Sequence, residues 1–238
     1  MNISLEWINS FLDRPATADE VEHALTSAGF PIEERTILPD GDVFMDVEIT
    51  SNRGDCLSML GLAREVAAVT GRTLVRPEWT EPSRDGDVDS ELDLENQSYD
   101  DCPLFTAQVI KGVKVGESPE WLKRRLEAVG QRPINNLVDV TNYITFELGH
   151  PCHVFDLDKL ADKSLVIRWA EEGEKLTTLD GKPRTLKTDE LVVADGERAT
   201  SLAGVIGGAD SEVDGSTTDV VLEMATWAPV TVRRAARR

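Results

Sequence analysis

The stretch Arg132-Pro133-Ile134-Asn135-Asn136-Leu137-Val138-Asp139-Val140-Thr141-Asn142-Tyr143, running on through Glu147-Leu148-Gly149-His150-Pro151-Cys152-His153 to Phe155-Asp156-Leu157-Asp158, decides how this chain is read. Asn135 is placed to cap a helix, because its side-chain oxygen can accept from the free N–H groups of the first turn. Leu137, Val140, Thr141, Ile144 and Leu148 then recur at helical spacing. Just upstream, Ser118 and Pro119 read as a helix start, with Ser118 as the cap. Leu122, Leu126 and Val129 supply that helix's buried face, and Gly130 ends it. Phe105 to Val115 alternates as a strand. Downstream the pattern shortens to strands over Leu165–Trp169, Lys175–Leu179, Leu191–Ala194 and Val220–Met224, with a hairpin turn at Asp180-Gly181. Helices interleaved with short strands in this way define an α+β fold.

The N-terminal part has its own punctuation. Leu5, Ile8, Phe11 and Leu12 predict an amphipathic opening helix. Thr17-Ala18-Asp19-Glu20 predicts a capping box before a second helix, whose buried stripe is Val21, Ala24, Leu25 and Ala28 and which Gly29 stops. Val43, Met45, Val47 and Ile49 alternate as a half-buried strand. Ser51 to Asp55 makes a turn, and a third helix runs from about Leu57 to Thr70, closed by Gly71. The expected organisation is a small helix-strand domain over residues 1–76, an acidic connector over 77–103 and a larger mixed α+β domain over 104–238. Within the connector, the alternation around Val88, Leu92 and Leu94 suits an edge strand.

Composition narrows the function classes. Hydrophobic residues make up 40% and charged residues 29% of the 238, an ordinary globular balance. No apolar run approaches the roughly 20 residues of a membrane span, and the N-terminus has no signal-peptide pattern. Three widely spaced cysteines, Cys56, Cys102 and Cys152, indicate no disulfide framework and suit a reducing cytoplasm. The net charge of −19 gives no long-range attraction for a polyanion. The acid is uneven: between Glu78 and Asp101, ten carboxylates face one basic residue, Arg84. Basic residues gather instead at Lys111, Lys114, Lys123, Arg124, Arg125 and Arg132, and again at Arg233, Arg234, Arg237 and Arg238. Either set is a solvated face or a phosphate contact, and charge alone favours the solvated face.

Two stretches carry a family resemblance. One is the 132–158 run quoted above. The other is Thr50-Ser51-Asn52-Arg53-Gly54-Asp55-Cys56-Leu57-Ser58-Met59-Leu60-Gly61 with Ala63-Arg64-Glu65. Both resemble the β subunit of bacterial phenylalanine–tRNA ligase. So do Glu174-Lys175-Leu176, Leu179-Asp180-Gly181, Leu202 to Gly208, Thr217-Thr218-Asp219 and Leu222-Glu223, in matching order along the chain.

The resemblance implies a cytoplasmic α2β2 enzyme whose α subunit carries the ATP- and magnesium-dependent aminoacylation of tRNA(Phe). It implies that the β subunit carries an editing domain that hydrolyses tyrosine wrongly esterified to that tRNA, without a cofactor. It assigns His153 to a place beside the scissile ester and lines the pocket with Thr141 and Asn142. It assigns Glu223 to the tyrosine hydroxyl, Arg132 to the substrate's vicinity, and Gly204 and Gly207 to a glycine-rich wall. The division of labour is physically sound. An apolar pocket rejects an added hydroxyl only by about a hundredfold, whereas a site that hydrogen-bonds the hydroxyl discriminates by ~10⁴ or more.

Each residue also has a plain structural reading. Glu223 lies in the apolar run Val220-Val221-Leu222-Glu223-Met224-Ala225, where alternation alone lets it point to solvent. His153 reads as a loop histidine satisfied by its neighbours, Thr141 and Asn142 as helix-surface polarity, Arg132 as a surface residue, and the glycines as a bulge or tight bend. His150, Cys152 and His153 lack paired-ligand spacing, so no metal site is expected. The chain departs from the family in two ways. Ile37 to Val43 directly closes a gap where most members insert an oligonucleotide-binding barrel. Val230 to Arg238 reads as a helix cut off within a longer editing domain. A scaffold module without chemistry and a tRNA-binding module are the competing functions.

Overall fold

The structure, a computed structural model, describes residues 1–237. In chain order the elements are β1 (Asn2–Ser4), α1 (Leu5–Asn9), α2 (Ala18–Ser27), β2 (Ile32–Ile37), β3 (Val43–Val47) and α3 (Met59–Thr70). They continue with β4 (Asp93–Asn96), β5 (Leu104–Lys111), α4 (Glu120–Ala128), α5 (Asn136–Leu148) and β6 (Cys152–Asp156). The remainder are β7 (Ser164–Trp169), β8 (Lys175–Thr177), β9 (Pro183–Thr185), β10 (Leu191–Ala194), β11 (Ala199–Leu202), β12 (Ile206–Gly207), β13 (Asp219–Thr226) and α6 (Pro229–Ala235). The fold is α+β, as the sequence predicts. Of the expected terminal helix, Arg238 lies outside the described residues.

The chain divides into two compact units, and the first is discontinuous. It comprises Met1–Pro82 together with Glu117–Pro151, while the second takes Ser83–Gly116 and everything from Cys152 onward. The continuous boundaries at residues 76 and 103 are therefore corrected: α4 and α5 leave the second part of the sequence to complete the first unit. Aromatic packing is the reason. Tyr143 of α5 stacks on Trp7 of α1 with ring centroids 4.9 Å apart, and the Trp7 indole N–H donates to Glu147 at 3.0 Å. Arg125 of α4 donates to the Tyr143 hydroxyl at 2.7 Å. Burial pushes the pKa of that hydroxyl well above the usual phenol range, so it stays protonated.

In the first unit β3 lies between β1 and β2, antiparallel to both, with Ile3 opposite Met45. Val43, Met45 and Val47 are buried in a core with Trp7, Leu25, Phe30, Met59 and Leu62. The Ile37–Val43 junction is a tight hairpin, with Leu38 N–H donating to the Asp42 carbonyl at 2.8 Å and Gly41 at φ +91°. The Thr17–Glu20 capping box, the Ser58 cap and the Gly71 stop of α3 form as expected. Two local expectations are corrected. α1 ends at Asn9 rather than near Leu12, because the Asn9 side chain exchanges hydrogen bonds with the Ala16 backbone and Leu12 instead bridges Leu74. Ser118 does not cap α4. Its hydroxyl donates to Asp139 at 2.5 Å, which also accepts from Ile134 N–H at 2.8 Å, so Pro119 takes the cap position.

The second unit holds a five-stranded sheet ordered β12-β11-β10-β7-β4, a three-stranded sheet ordered β5-β13-β6 and the small hairpin β8-β9. The end of the acidic connector supplies β4, an edge strand pairing parallel to β7. Residues Phe155, Leu165, Ile167, Leu191, Val193, Val221 and Ala225 form a shared core, with Phe105, Ala107 and Val109 of β5 packed against it.

Candidate functional site

β13 is the central strand of its sheet, so both its edges are hydrogen-bonded and one pleat face is covered. Val221, Glu223 and Ala225 alternate onto that covered face, and Val221 and Ala225 belong to the apolar core. Glu223 is thereby carried inward and is only 8% exposed. Its partners across the sheet are Ala107 on β5 and His153 on β6. Among the described residues no Lys or Arg pairs with its carboxyl. Burial pushes its pKa up to about 8.

His153 faces the same interior. Its ring stands edge-to-face against Phe155, with centroids 4.5 Å apart, and its Nε2 is buried without a hydrogen-bond partner. Burial lowers its pKa to about 4, so the imidazole is neutral near pH 7. Two titratable groups thus sit side by side with neither charged. A Cβ at Gly207 would lie 2.5 Å from His153 Cε1 and 2.8 Å from Nε2, and Leu179 Cδ1 approaches the same point at 3.1 Å. Gly207 is therefore the space into which the imidazole fits. The β8–β9 hairpin is tied there by the Leu179 N–H donating to the Gly207 carbonyl at 2.9 Å.

The remaining expected residues distribute as follows. Gly204, at φ +68°, turns the chain between β11 and β12, and a Cβ there would meet Trp227 and Val232, not His153. Thr141 and Asn142 on α5, and Arg132 before it, belong to the other unit. Thr141 is buried and donates to the Val138 carbonyl at 2.7 Å; Arg132 is exposed. Phe155, Leu179 and Cys102 were not singled out from the sequence. Only the resemblance stretches 132–158 and 179–181, which contain Phe155 and Leu179, pointed near them. Cys102 is buried, and burial first and then Glu223 raises its thiol to about 11; Cys152 behaves alike.

Metal-type donors do cluster at Asp55, Cys56 and Glu65 in the first unit. Arg53 fills their centre, donating to Asp55 at 3.0 Å, to Glu65 at 2.9 Å and to the Cys56 sulfur at 3.1 Å. Burial raises the Cys56 thiol to about 11, and a protonated thiol is a poor ligand.

Residues 101–238 match the family model for the B3/4 domain. The chain belongs to the B3/4 domain family. That match takes in β5, β6 and β13, and with them both His153 and Glu223. It also takes in α4 and α5, so the B3/4 span crosses both compact units. Curated relatives extend the likeness over the whole length. A phenylalanine–tRNA ligase β subunit from Rhodopirellula baltica is 44% identical over 238 residues, all of this chain and 35% of the relative. One from Anaeromyxobacter dehalogenans is 47% identical over 213 residues, 90% of this chain and 26% of the relative. The B3/4-containing chain thus spans about a third or less of these relatives. Among solved structures, an N-terminal fragment of the phenylalanyl-tRNA synthetase β subunit from Pyrococcus horikoshii superposes with a TM-score of 0.51. It covers 99% of this chain and 70% of the fragment at 17% identity, a likeness of fold. The resemblance read from the sequence is therefore real along the whole chain.

Proposed function

We propose that this chain is the proofreading part of a phenylalanine–tRNA ligase β subunit, hydrolysing tyrosine esterified to tRNA(Phe). One observation carries this reading: a buried carboxyl at Glu223, with no Lys or Arg paired to it among the described residues, beside a neutral imidazole at His153 whose Nε2 is buried without a hydrogen-bond partner. Buried polar groups normally have partners, and a buried nitrogen without one is a place where a ligand or water completes the set. Glu223 supplies the hydrogen-bond partner for a tyrosyl hydroxyl, and a phenylalanyl group would leave it unsatisfied. The unpaired Nε2 of neutral His153 can accept a hydrogen bond from a water and orient it toward the ester carbonyl. Attack by that water, with departure of the ribose oxygen, releases tyrosine and free tRNA. With so low a pKa, His153 acts mainly by orientation rather than as a strong base.

Thr141, Asn142 and Arg132, which lie in the first unit, remain proposed on the resemblance alone as residues that meet the substrate. Aminoacylation, with ATP and magnesium, belongs on this reading to an α subunit partnered with the whole β subunit. Hydrolysis needs neither. Three free thiols suit a cytoplasmic enzyme, and among the described residues no helix is long and apolar enough to cross a membrane. The test is release of tyrosine from tyrosyl-tRNA(Phe) by the full chain, against phenylalanyl-tRNA(Phe) and against His153→Ala. Selective tyrosyl release that falls with His153→Ala supports the reading. Release no faster than in buffer sinks it and leaves a scaffold role.

A further inference from the structure

The surroundings of Glu223 decide in which form it can meet a ligand. β13 flanks it with Val221 and Ala225, and β5 contributes Phe105, Ala107 and Val109 to the same core. The titratable groups near it are His153 and Cys152 on β6 and Cys102 just before β5, all neutral around pH 7. Among the described residues no cation there offsets a negative charge. A carboxylate has about four acceptor sites, and a phenol brings one donor. Sealing a carboxylate under an aromatic acyl group would leave it buried with a single hydrogen bond, a costly state. A protonated carboxyl is better matched by one hydroxyl, because it carries no charge and can donate and accept at once.

We propose that Glu223 reads the tyrosyl hydroxyl as a neutral acid, its carboxyl O–H donating to the phenolic oxygen while its carbonyl oxygen accepts the phenolic proton. The inference rests on the proofreading reading above. It fits the carboxyl's pKa of about 8, which leaves it mostly protonated at neutral pH. Ionisation above that value closes the site to the aryl group, so tyrosyl release becomes self-limiting in alkali. His153 and the thiols do not titrate between pH 6.5 and 9.5.

The test compares Glu223→Gln and Glu223→Ala with the parent chain on tyrosyl-tRNA(Phe) from pH 6.5 to 9.5, after subtracting hydrolysis in buffer. Glutamine is a neutral donor and acceptor of nearly the same shape, so it imitates the protonated acid only. Dividing parent rates by Glu223→Gln rates removes ionisation of the substrate's own amine. The expected ratio is level to about pH 7 and declines above 8, approaching tenfold per pH unit. Glu223→Ala loses release by roughly 10- to 100-fold, well below Glu223→Gln. A Glu223→Gln chain as slow as Glu223→Ala, with a parent-to-Gln ratio that rises with pH, overturns the proposal in favour of a carboxylate reader. A parent inert at every pH sinks the proofreading reading instead. Infrared difference spectra then decide the protonation on their own. A protonated-carboxyl band missing in Glu223→Gln, with its midpoint near pH 8, supports the neutral acid. An ionised Glu223 at pH 6 rejects it.

Discussion

Glu223 and His153 pull the stability of the chain in opposite directions as pH changes. Glu223 binds its proton more tightly when folded, at about 8 against an ordinary 4.5. Between those values the folded chain keeps a proton that the unfolded chain has released, so stability falls as pH rises toward 8. His153 is the reverse, at about 4 against 6.5: the unfolded chain takes up a proton first, and stability falls as pH drops below 6.5. The two slopes oppose each other from 4.5 to 6.5, and above 6.5 only that of Glu223 remains. Glu223→Gln should therefore gain melting temperature over the parent progressively from pH 6.5 to 8, with the gap level beyond. A gap independent of pH would mean that Glu223 ionises normally. Gly207→Ala makes a second prediction, because its Cβ would overlap the His153 ring. Overpacking of this kind costs about 1–3 kcal/mol, and the imidazole NMR resonances of His153 should shift. Unmoved resonances would show that the ring is not seated there. The identity of both side chains was legible only through resemblance. Alternation along β13 left the direction of Glu223 open, and no local pattern says that Gly207 makes room for a ring from another strand.

Helix boundaries were the most legible level. The α5 cap shows why: the Asn135 side chain accepts from both Leu137 and Val138 N–H groups, at 3.1 and 3.0 Å, as the local chemistry of asparagine predicts. Asn135→Ala should cost about 1 kcal/mol, read as a lower urea midpoint with an unchanged slope. No change would mean that packing alone holds the helix start. The α4 cap was misread because Ser118 has a better partner than its own helix. Asp139 is fully buried and takes its hydroxyl, a contact set by residues 21 positions apart. Strands fared worse where they are short or lie at edges. β1, β2, β9, β11 and β12 run from two to six residues and carry little periodicity of their own; pairing partners define them.

At the scale of the molecule, the sequence suggested one domain after another, and the chain instead threads out of its first unit and back into it. Periodicity finds elements but is silent about which distant element each one packs on. Residues 78–90 are exposed throughout and include Arg84. Limited trypsin digestion should cut after Arg84 early, yet the two fragments should stay together on gel filtration under native conditions. Met1–Pro82 remains packed with Glu117–Pro151 through Trp7, Tyr143 and Glu147. Fragments that separate would show that this packing is weak. The same threading bears on synthesis at the ribosome. Residues 1–82 emerge with Trp7 lacking its stacking partner and the Glu147 acceptor, and both arrive only near residue 147. At about 5–20 residues per second, the nascent N-terminal segment waits on the order of several seconds with that indole uncovered. During that interval it is a natural client for a holding chaperone, and slowing translation over residues 83–147 should lower the yield of folded chain.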